Sequence, residues 1–473
     1  MDFDVIVVGA GPAGCTAAAE LAAEGFRVGL FEARRGREHA GKPIVVEVED
    51  SVFSRVGLAR PCGEEIPYDP ALVRVFGPDR TEAFSFTTSV TVPVFLDALC
   101  RSLLERASSR GVELFDGYKA TGVLARGTRV SGARFLAKGR TEEVQARLVV
   151  DATGFDAALV RSLGPEAGIG FTESDNDVVV AQNHYHEIHW RKAEEAVRAG
   201  IHGDGELWVA LGTLGAYSTE FSYLSLGRRR AYILMGCKAE QGAARLDRAV
   251  AEFKKRQGYY GRQISGGRGR IRIRHPLHRL VADGFMVIGE AASMVTPMNG
   301  SGVSTALLAG KMAAAVAAQA LRTQAAPSTE HLWPFCARFH RGRGATLAVL
   351  AALRLMCERL TSDGISAMLT SGLLTAHDVL TTGNLDRPLI CPTSLPAKVR
   401  ALWRTPALRR QVLRTAALAT ALSLYYRNYP VQYDPARFEA WSGRVAGIFS
   451  LLGDGPTARS EERSEPIGPS GAA

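Results

Sequence analysis

Asp4-Val5-Ile6-Val7-Val8-Gly9-Ala10-Gly11-Pro12-Ala13-Gly14-Cys15 is the stretch that decides the fold. Val5–Val8 is a short apolar run stopped by a glycine, the pattern of a buried parallel strand. From Cys15 to Ala23 small and apolar residues recur at helical spacing, and Val28–Phe31 is a second apolar run that ends at Glu32. Strand, glycine turn, helix and strand follow one another with short connections, which is how a parallel sheet begins. Each glycine has a task in such a turn. Gly9 makes the tight bend, Gly11 lets a pyrophosphate approach the backbone, and Gly14 lets helix and strand pack closely. The helix N-terminus offers unpaired N–H groups and the positive end of its dipole to the phosphates. Glu32 can accept hydrogen bonds from both ribose hydroxyls and would repel a 2′-phosphate. The unit is expected to bind a dinucleotide.

Outward from this unit, Leu96–Ala107 has the spacing of another crossover helix, followed by Gly111 and the alternating segment Glu113–Phe115. Leu148–Asp151 is a further apolar run reaching Ala152-Thr153-Gly154. The pattern changes from Val178 to about Cys237, where short β-rich runs (Val178–Ala181, Leu207–Leu211, Tyr223–Leu226, Tyr232–Met235) alternate with turn residues, as in an antiparallel sheet. Phe285–Ile288 returns to the buried-strand pattern, and Val303–Leu321 is a long Ala-rich helix after Gly300-Ser301-Gly302. Helical periodicity continues through Leu332–Arg359 and Ile365–Leu380, weakens around Pro388–Pro396, and gives way after Asp454 to a Ser/Gly/Pro/Glu/Arg-rich end expected to be disordered.

The chain has 473 residues, enough for two or three domains with cores of their own. Charged residues make up 22% and hydrophobic ones 46%, which excludes a largely disordered chain. With 57 Lys+Arg against 48 Asp+Glu the net charge is +9, an argument about association and not about fold, and no nucleic-acid partner is expected from it. Seven scattered cysteines without a C-x-x-C exclude a disulfide framework and a zinc ribbon, and point to a reducing compartment. Met1-Asp2-Phe3-Asp4 lacks the basic region of a signal peptide, and no stretch has the roughly 18 uncharged apolar residues of a membrane span. A cytoplasmic location is expected, with peripheral contact at the inner face of the membrane as a further expectation.

Two later segments choose between NAD and FAD. Val149-Val150-Asp151-Ala152-Thr153-Gly154, continuing to Arg161, resembles the second FAD fingerprint of the glutathione-reductase-type flavoproteins. Phe285-Met286-Val287-Ile288-Gly289-Glu290-Ala291-Ala292, then Pro297, Gly300, Ser301 and Gly302, resembles their third. In that family the acid after the glycine bonds the ribityl chain, and the following helix N-terminus faces the pyrimidine edge of the flavin, where reduced flavin carries negative charge. Here the usual Asp is Glu290, one methylene longer. The order and spacing are most similar to the geranylgeranyl reductase branch, close to the flavin halogenases and aromatic hydroxylases, over about residues 1–325. The resemblance implies FAD contacts at Gly9, Gly11, Pro12, Ala13, Gly14, Glu32, Ala33, Arg34, Val123, Gly154, Gly289, Glu290, Pro297, Gly300, Ser301, Gly302 and Val303.

The fold class expected is α/β: a doubly wound Rossmann-like FAD domain with an antiparallel substrate-binding sheet and a helical C-terminal region. The boundaries read as 1–175 and 276–325 for the FAD domain, 176–275 for the substrate sheet, 326–453 for the helical region and 454–473 for the tail. The resemblance implies an FAD-dependent oxidoreductase that uses hydride from reduced flavin to saturate C=C bonds of a prenyl or other apolar small-molecule or lipid substrate. Two alternatives stay open: a monooxygenase hydroxylating an aromatic or polyketide-like substrate, and a dehydrogenase passing electrons to a quinone. NAD(P)H is expected only as a transient electron donor, since no second G-x-G-x-x-G exists.

Departures from the branch bear on the chemistry. Gly41-Lys42-Pro43-Ile44-Val45-Val46-Glu47 stands where many relatives have a segment ending in cysteine, and Val46 takes that place; Val92–Leu96 lacks the arginine that relatives carry before the helix. No proton donor is identified. His184 and His186 share one strand face with His189 on the other, which argues against a metal site. Arg262, Arg268, Arg270, Arg272, Arg274 and Arg279 suit a solvated edge strand, with docking of an anionic group as the alternative. Lys398–Arg414 interleaves six bases with apolar residues and no acid, and with Thr415–Tyr426 it makes residues 398–426 the candidate membrane contact.

Overall fold

The computed structural model describes residues 2–36, 44–87, 90–170, 175–215, 217–385 and 394–453. The opening unit forms as its pattern predicts: β1 (Phe3–Val8), α1 (Pro12–Ala23) and β2 (Val28–Glu32), with β1 and β2 parallel and Val5 opposite Val28. β3 (Val45–Glu49) leads through α2 (Asp50–Val56), β4 (Leu72–Phe76) and β5 (Glu82–Phe86) to β6 (Thr91–Phe95), which turns back antiparallel on β3. The crossover helix α3 (Leu96–Ser109) buries Leu99, Leu103 and Ala107 and delivers β7 (Glu113–Asp116) beside β2. A meander follows through β8 (Lys119–Arg126), β9 (Arg129–Ala137) and β10 (Arg140–Asp151). β10 changes partner midway: it pairs antiparallel with β9 as far as Gln145 and parallel with β1 from Ala146.

The second sheet draws on β11 (Val178–Ile188), followed by α4 (Trp190–Arg198), then β12 (Glu206–Leu211), β13 (Ser218–Ser225) and β14 (Arg230–Lys238), and, after α5 (Ala243–Gln257), β15 (Tyr260–Arg272). Its order is β15-β11-β14-β13-β12-β4-β5. Two corrections to the sequence reading lie here. The sheet begins well before residue 176, because β4 and β5 form its far edge; and the β12–β4 pair is parallel, the exception in an otherwise antiparallel sheet. A strand added across more than a hundred residues leaves no local periodicity to read. β15 is an edge strand as expected, but its Arg272 is buried instead of solvated.

The chain then re-enters the first sheet through β16 (Val281–Ala282) and β17 (Phe285–Val287), giving the order β16-β17-β10-β1-β2-β7. α6 (Val303–Thr323) runs across α1 at close range: a Cβ on Gly310 would lie 2.5 Å from the Ala13 carbonyl oxygen, so only glycine allows the approach. Long and apolar enough by composition to cross a membrane, α6 is instead mostly buried in the core.

The C-terminal region is helical: α7 (Thr329–Phe339), α8 (Ala345–Cys357), α9 (Ser362–Ser371), α10 (Ala376–Gly383), α11 (Leu395–Arg404), α12 (Pro406–Arg427) and α13 (Pro435–Leu452). The continuous periodicity read over 332–359 is broken by a π turn at His340–Gly344, where Gly342 leaves helical geometry (φ −100°, ψ −108°). Gly372 ends α9 with φ +84°, and Pro406 separates α11 from α12. Most of the Pro388–Pro396 stretch, the Gly41–Pro43 segment and the 454–473 tail lie outside the described residues. Among the described residues all six cysteines are free.

Candidate functional site

The glycine loop works by sterics. Gly9 sits at φ +105°, and a Cβ there would meet the Ala152 carbonyl oxygen at 2.2 Å; a Cβ on Gly14 would meet the Gly9 oxygen at 1.9 Å. These two glycines hold β1, α1 and the end of β10 together. Gly11 differs, for a Cβ on it would touch nothing within 4 Å and would stand in the open cavity. Pro12 occupies the first turn of α1, where no intrahelical N–H is lost, and no acid stands in that turn. The free N–H groups there are ready for an anion.

At the end of β2, Glu32 is buried with both carboxylate oxygens oriented: Oε2 accepts from the Ala10 N–H at 2.9 Å, and Oε1 from the Arg34 backbone N–H and Nε at 3.0 Å each. Val123 donates its N–H to Ser162 Oγ at 3.0 Å and does not line the cavity. On the other side of β1, Asp151 is fully buried and accepts four hydrogen bonds, from Thr153 N–H and Oγ1 and from the Leu159 and Val160 N–H groups. It shapes the turn that leaves Gly154 (φ +71°) open to the cavity.

The third segment closes the cavity. Gly289 (φ +66°) brings the chain to α1, where a Cβ would lie 3.0 Å from that of Ala13. Glu290 Oε1 accepts the Arg272 N–H at 3.2 Å; burial pushes its carboxyl up to about 7, against the opposing pull of Arg272. Arg272 in turn donates to the Phe155 carbonyl at 2.7 Å, and it and Arg270 lie over the Phe155 ring at 4.7 and 4.8 Å. The Thr296–Ser301 turn, closed by Thr296 N–H to Ser301 O at 2.8 Å, feeds α6, whose acid-free first turn opens on the cavity beside Gly300, Ser301, Gly302 and Val303. Pro297 stands back from the lining, its carbonyl accepting the Tyr217 hydroxyl.

The result is one cavity of about 390 Å³. Gly11–Ala13, Ala152, Gly154, Gly289, Glu290, Val295, Asn299–Val303 and Ala306 form one part of its wall; the β3 segment, Tyr68, Leu96 and the second sheet supply the rest. Gly9, Gly14, Glu32, Ala33, Arg34, Val123 and Pro297 are not in the wall, the first two because they pack the turn from beneath. The site fits FAD: an open glycine at each of two turns and two helix N-termini without competing acids, with Glu32 at the end of β2 bracing the loop through the Ala10 and Arg34 N–H groups. Bound there, the dinucleotide phosphates would sit at α1 and the flavin at the N-terminus of α6.

A second chamber of about 150 Å³ adjoins the first and shares Ala181, Leu234, Ile271, Asn299 and Gly300 with it. Its wall is mostly apolar, with Val179, Leu211, Leu360, Ile365, Met368 and Leu374, and α9 closes one side.

Some residues of the site had no sequence signal. Glu47, Tyr68, Asn183 and Tyr232 line the main cavity but come from four separate segments: β3, the stretch before β4, β11 and β14. His184 and His186 share a face as expected, their ring centroids 5.9 Å apart, while His189 caps α4. Burial lowers His184 to about 4, helped by Lys254, and no three-residue metal-binding group exists among the described residues.

The sequence profile of the FAD binding domain family matches residues 2–329. The chain is 23% identical over 461 residues to the digeranylgeranylglycerophospholipid reductase of Sulfolobus acidocaldarius, covering 95% of this chain and 98% of that one. Its fold is similar to that of a geranylgeranyl bacteriochlorophyll reductase-like protein from Thermoplasma acidophilum, with TM-score 0.65 at 18% identity over 86% of this chain and 98% of that one. A flavin-dependent brominase is also similar, with TM-score 0.59 at 19% identity over 88% and 99% of the two chains.

Proposed function

The chain belongs to the FAD binding domain family and is an FAD-dependent oxidoreductase, and from that premise we propose that it saturates carbon–carbon double bonds of a prenyl or similarly apolar chain. The observation that carries this reading is the apolar chamber opening off the flavin cavity, where an aliphatic chain finds Leu, Ile and Met side chains and few polar groups to desolvate. The name of the Sulfolobus relative, matched over nearly its whole length, supports the same reading. When bound and reduced, FAD would supply a hydride, which carries both electrons of the reduction; NAD(P)H is proposed as the donor that visits to reduce it. The chain's own residues would hold the phosphates at the N-terminus of α1 and the electron-rich edge of the flavin at the N-terminus of α6, beside a chamber with a mostly apolar wall. Enzyme given NADPH or dithionite, with geranylgeranyl diphosphate, should return a product that gains two hydrogens for each double bond lost, read by mass spectrometry. A product carrying an added oxygen, or a further double bond, would contradict it.

The same proposal includes where the substrate is met. α11 carries one buried residue, Ala401, while Leu395, Val399 and Trp403 stand exposed beside Arg400, Arg404, Arg409 and Arg410. Arg409 lies over the Trp403 ring at 4.8 Å. Apolar side chains among bases with no acid suit an anionic bilayer at the inner face of a membrane, each base near the surface contributing about 1 kcal/mol.

A further inference from the structure

Glu47 on β3 is half-buried in the wall of the flavin cavity, and its carboxyl is held by two hydroxyls. Tyr68 OH donates to Oε1 at 2.9 Å and Thr91 Oγ1 to Oε2 at 3.1 Å. Among the described residues no cation pairs with it. Burial raises Glu47 above the usual carboxylate range more than the two hydroxyls lower it, so the group holds a proton more readily than a solvated carboxyl.

Tyr68 lines the same cavity and is held in place on both sides, its ring 5.3 Å from Tyr223 and 5.1 Å from Tyr232. Asn183 fixes β3 against the second sheet: its amide accepts the Val45 N–H at 3.2 Å, donates to the Val45 carbonyl at 2.7 Å and donates to Tyr232 OH at 3.1 Å. A carboxyl of raised proton affinity and a phenol, hydrogen-bonded to each other, therefore line the cavity proposed to hold the flavin. A structural polar pair would have no need to line that space.

We propose that Glu47 and Tyr68 deliver the proton of the reduction, a role that rests on the reductase reading above. As hydride from reduced flavin forms a C–H bond at one carbon, the π bond breaks and its electrons take the Tyr68 proton at the neighbouring carbon. For this the 2.9 Å hydrogen bond reverses: with the Glu47 proton on Oε1, Glu47 donates to the Tyr68 oxygen, Tyr68's own proton is free for the alkene carbon, and the Glu47 proton replaces it as it leaves. The alkene is reduced, the flavin is oxidised, and Glu47 is left as a carboxylate that regains its proton from water. Thr91 Oγ1 donates to the second carboxyl oxygen and stabilises the charge left there.

The test uses the FAD-loaded full chain, reduced with dithionite under nitrogen and mixed with geranylgeranyl diphosphate. Glu47→Gln and Tyr68→Phe should slow flavin reoxidation by about 10²- to 10⁴-fold, the usual loss for a positioned acid, while Glu47→Asp recovers part of the rate. The wild-type step should be slower in D2O. An infrared difference spectrum of wild type minus Glu47→Gln, taken without substrate, should contain a protonated-carboxyl C=O band that shifts in D2O. If Glu47→Gln takes up no flavin, Tyr68→Phe, which removes only the hydroxyl, carries the kinetic test.

Wild type that saturates the chain with both variants at its rate overturns the pair and leaves the reductase reading standing. Wild type that leaves the chain unsaturated overturns the reductase reading and with it delivery to an alkene. Absence of the infrared band overturns the stored proton in either case.

Discussion

Two glycines of one loop, three positions apart, do different work. A methyl on Gly14 runs into the backbone oxygen of Gly9, whereas a methyl on Gly11 meets no protein atom and enters the space read as the phosphate site. Gly14→Ala should therefore destabilise the apoprotein by about 1–3 kcal/mol, as overpacked cores do. Gly11→Ala should leave the apoprotein's denaturation midpoint unchanged and weaken FAD binding by about tenfold or more, a loss of at least about 1.4 kcal/mol. Thermal melts of the apoproteins with flavin fluorescence titrations separate the two. Equal effects of both substitutions on folding would mean that Gly11 packs the turn and does not face a phosphate. Glu290 shows how a one-residue departure is absorbed: its longer side chain reaches the N–H of the buried Arg272, an arginine that the sequence pattern assigned to solvent.

At the scale of elements, the π turn between α7 and α8 places Arg343 on β3. Its guanidinium grips Glu49 at both oxygens, at 2.5 and 2.9 Å, with both side chains buried. Arg343→Met would leave Glu49 buried without its charge partner, a loss of about 3–5 kcal/mol by urea denaturation. A second element-scale consequence is pH dependence. α13 docks through an aromatic and imidazole cluster in which His275 stacks on Phe449 at 4.2 Å, His278 meets Trp441 edge-on at 5.2 Å and His340 stacks on Tyr429 at 4.6 Å. Burial lowers His278 to about 4, with Arg274 adding to it, and His340 to about 3. Unfolded imidazoles titrate near 6.5, so below that pH the unfolded chain binds the additional protons and stability falls as the pH drops from about 6.5 towards 4. The urea midpoint should drop between pH 7 and pH 5, and by less in a His278→Phe/His340→Phe variant. An equal drop in that variant would mean these two histidines do not set the slope. For α11, Trp403→Ala and Arg400→Ala/Arg404→Ala variants should sediment less with anionic liposomes at low salt than wild type. Wild type that stays in the supernatant contradicts the bilayer contact.

For the whole molecule, what could be read in the sequence follows from how local each signal is. The β1–α1–β2 unit was legible because its glycines, helix and Glu32 lie within thirty residues and each has a steric or electrostatic task there. The second and third segments around Gly154 and Gly289 were legible for the same reason. The attachment of β4 to β12 and the docking of Asn183 on β3, which brings Glu47 and Tyr68 to Tyr232, were not, because each joins segments more than a hundred residues apart. Helix breaks at Gly342 and Gly372 were hidden inside periodicity that continues through them. The FAD cradle is thus a local feature and the chamber beside it a tertiary one, which is why the cofactor could be read more directly than the substrate.

The most direct test of the reductase account is a single turnover without oxygen. Enzyme reduced with one equivalent of dithionite under nitrogen is mixed with geranylgeranyl diphosphate while the flavin absorbance is followed. The account predicts that the oxidised flavin bands return as the chain gains two hydrogens, one double bond for each flavin. Flavin that stays reduced until air is admitted would contradict it.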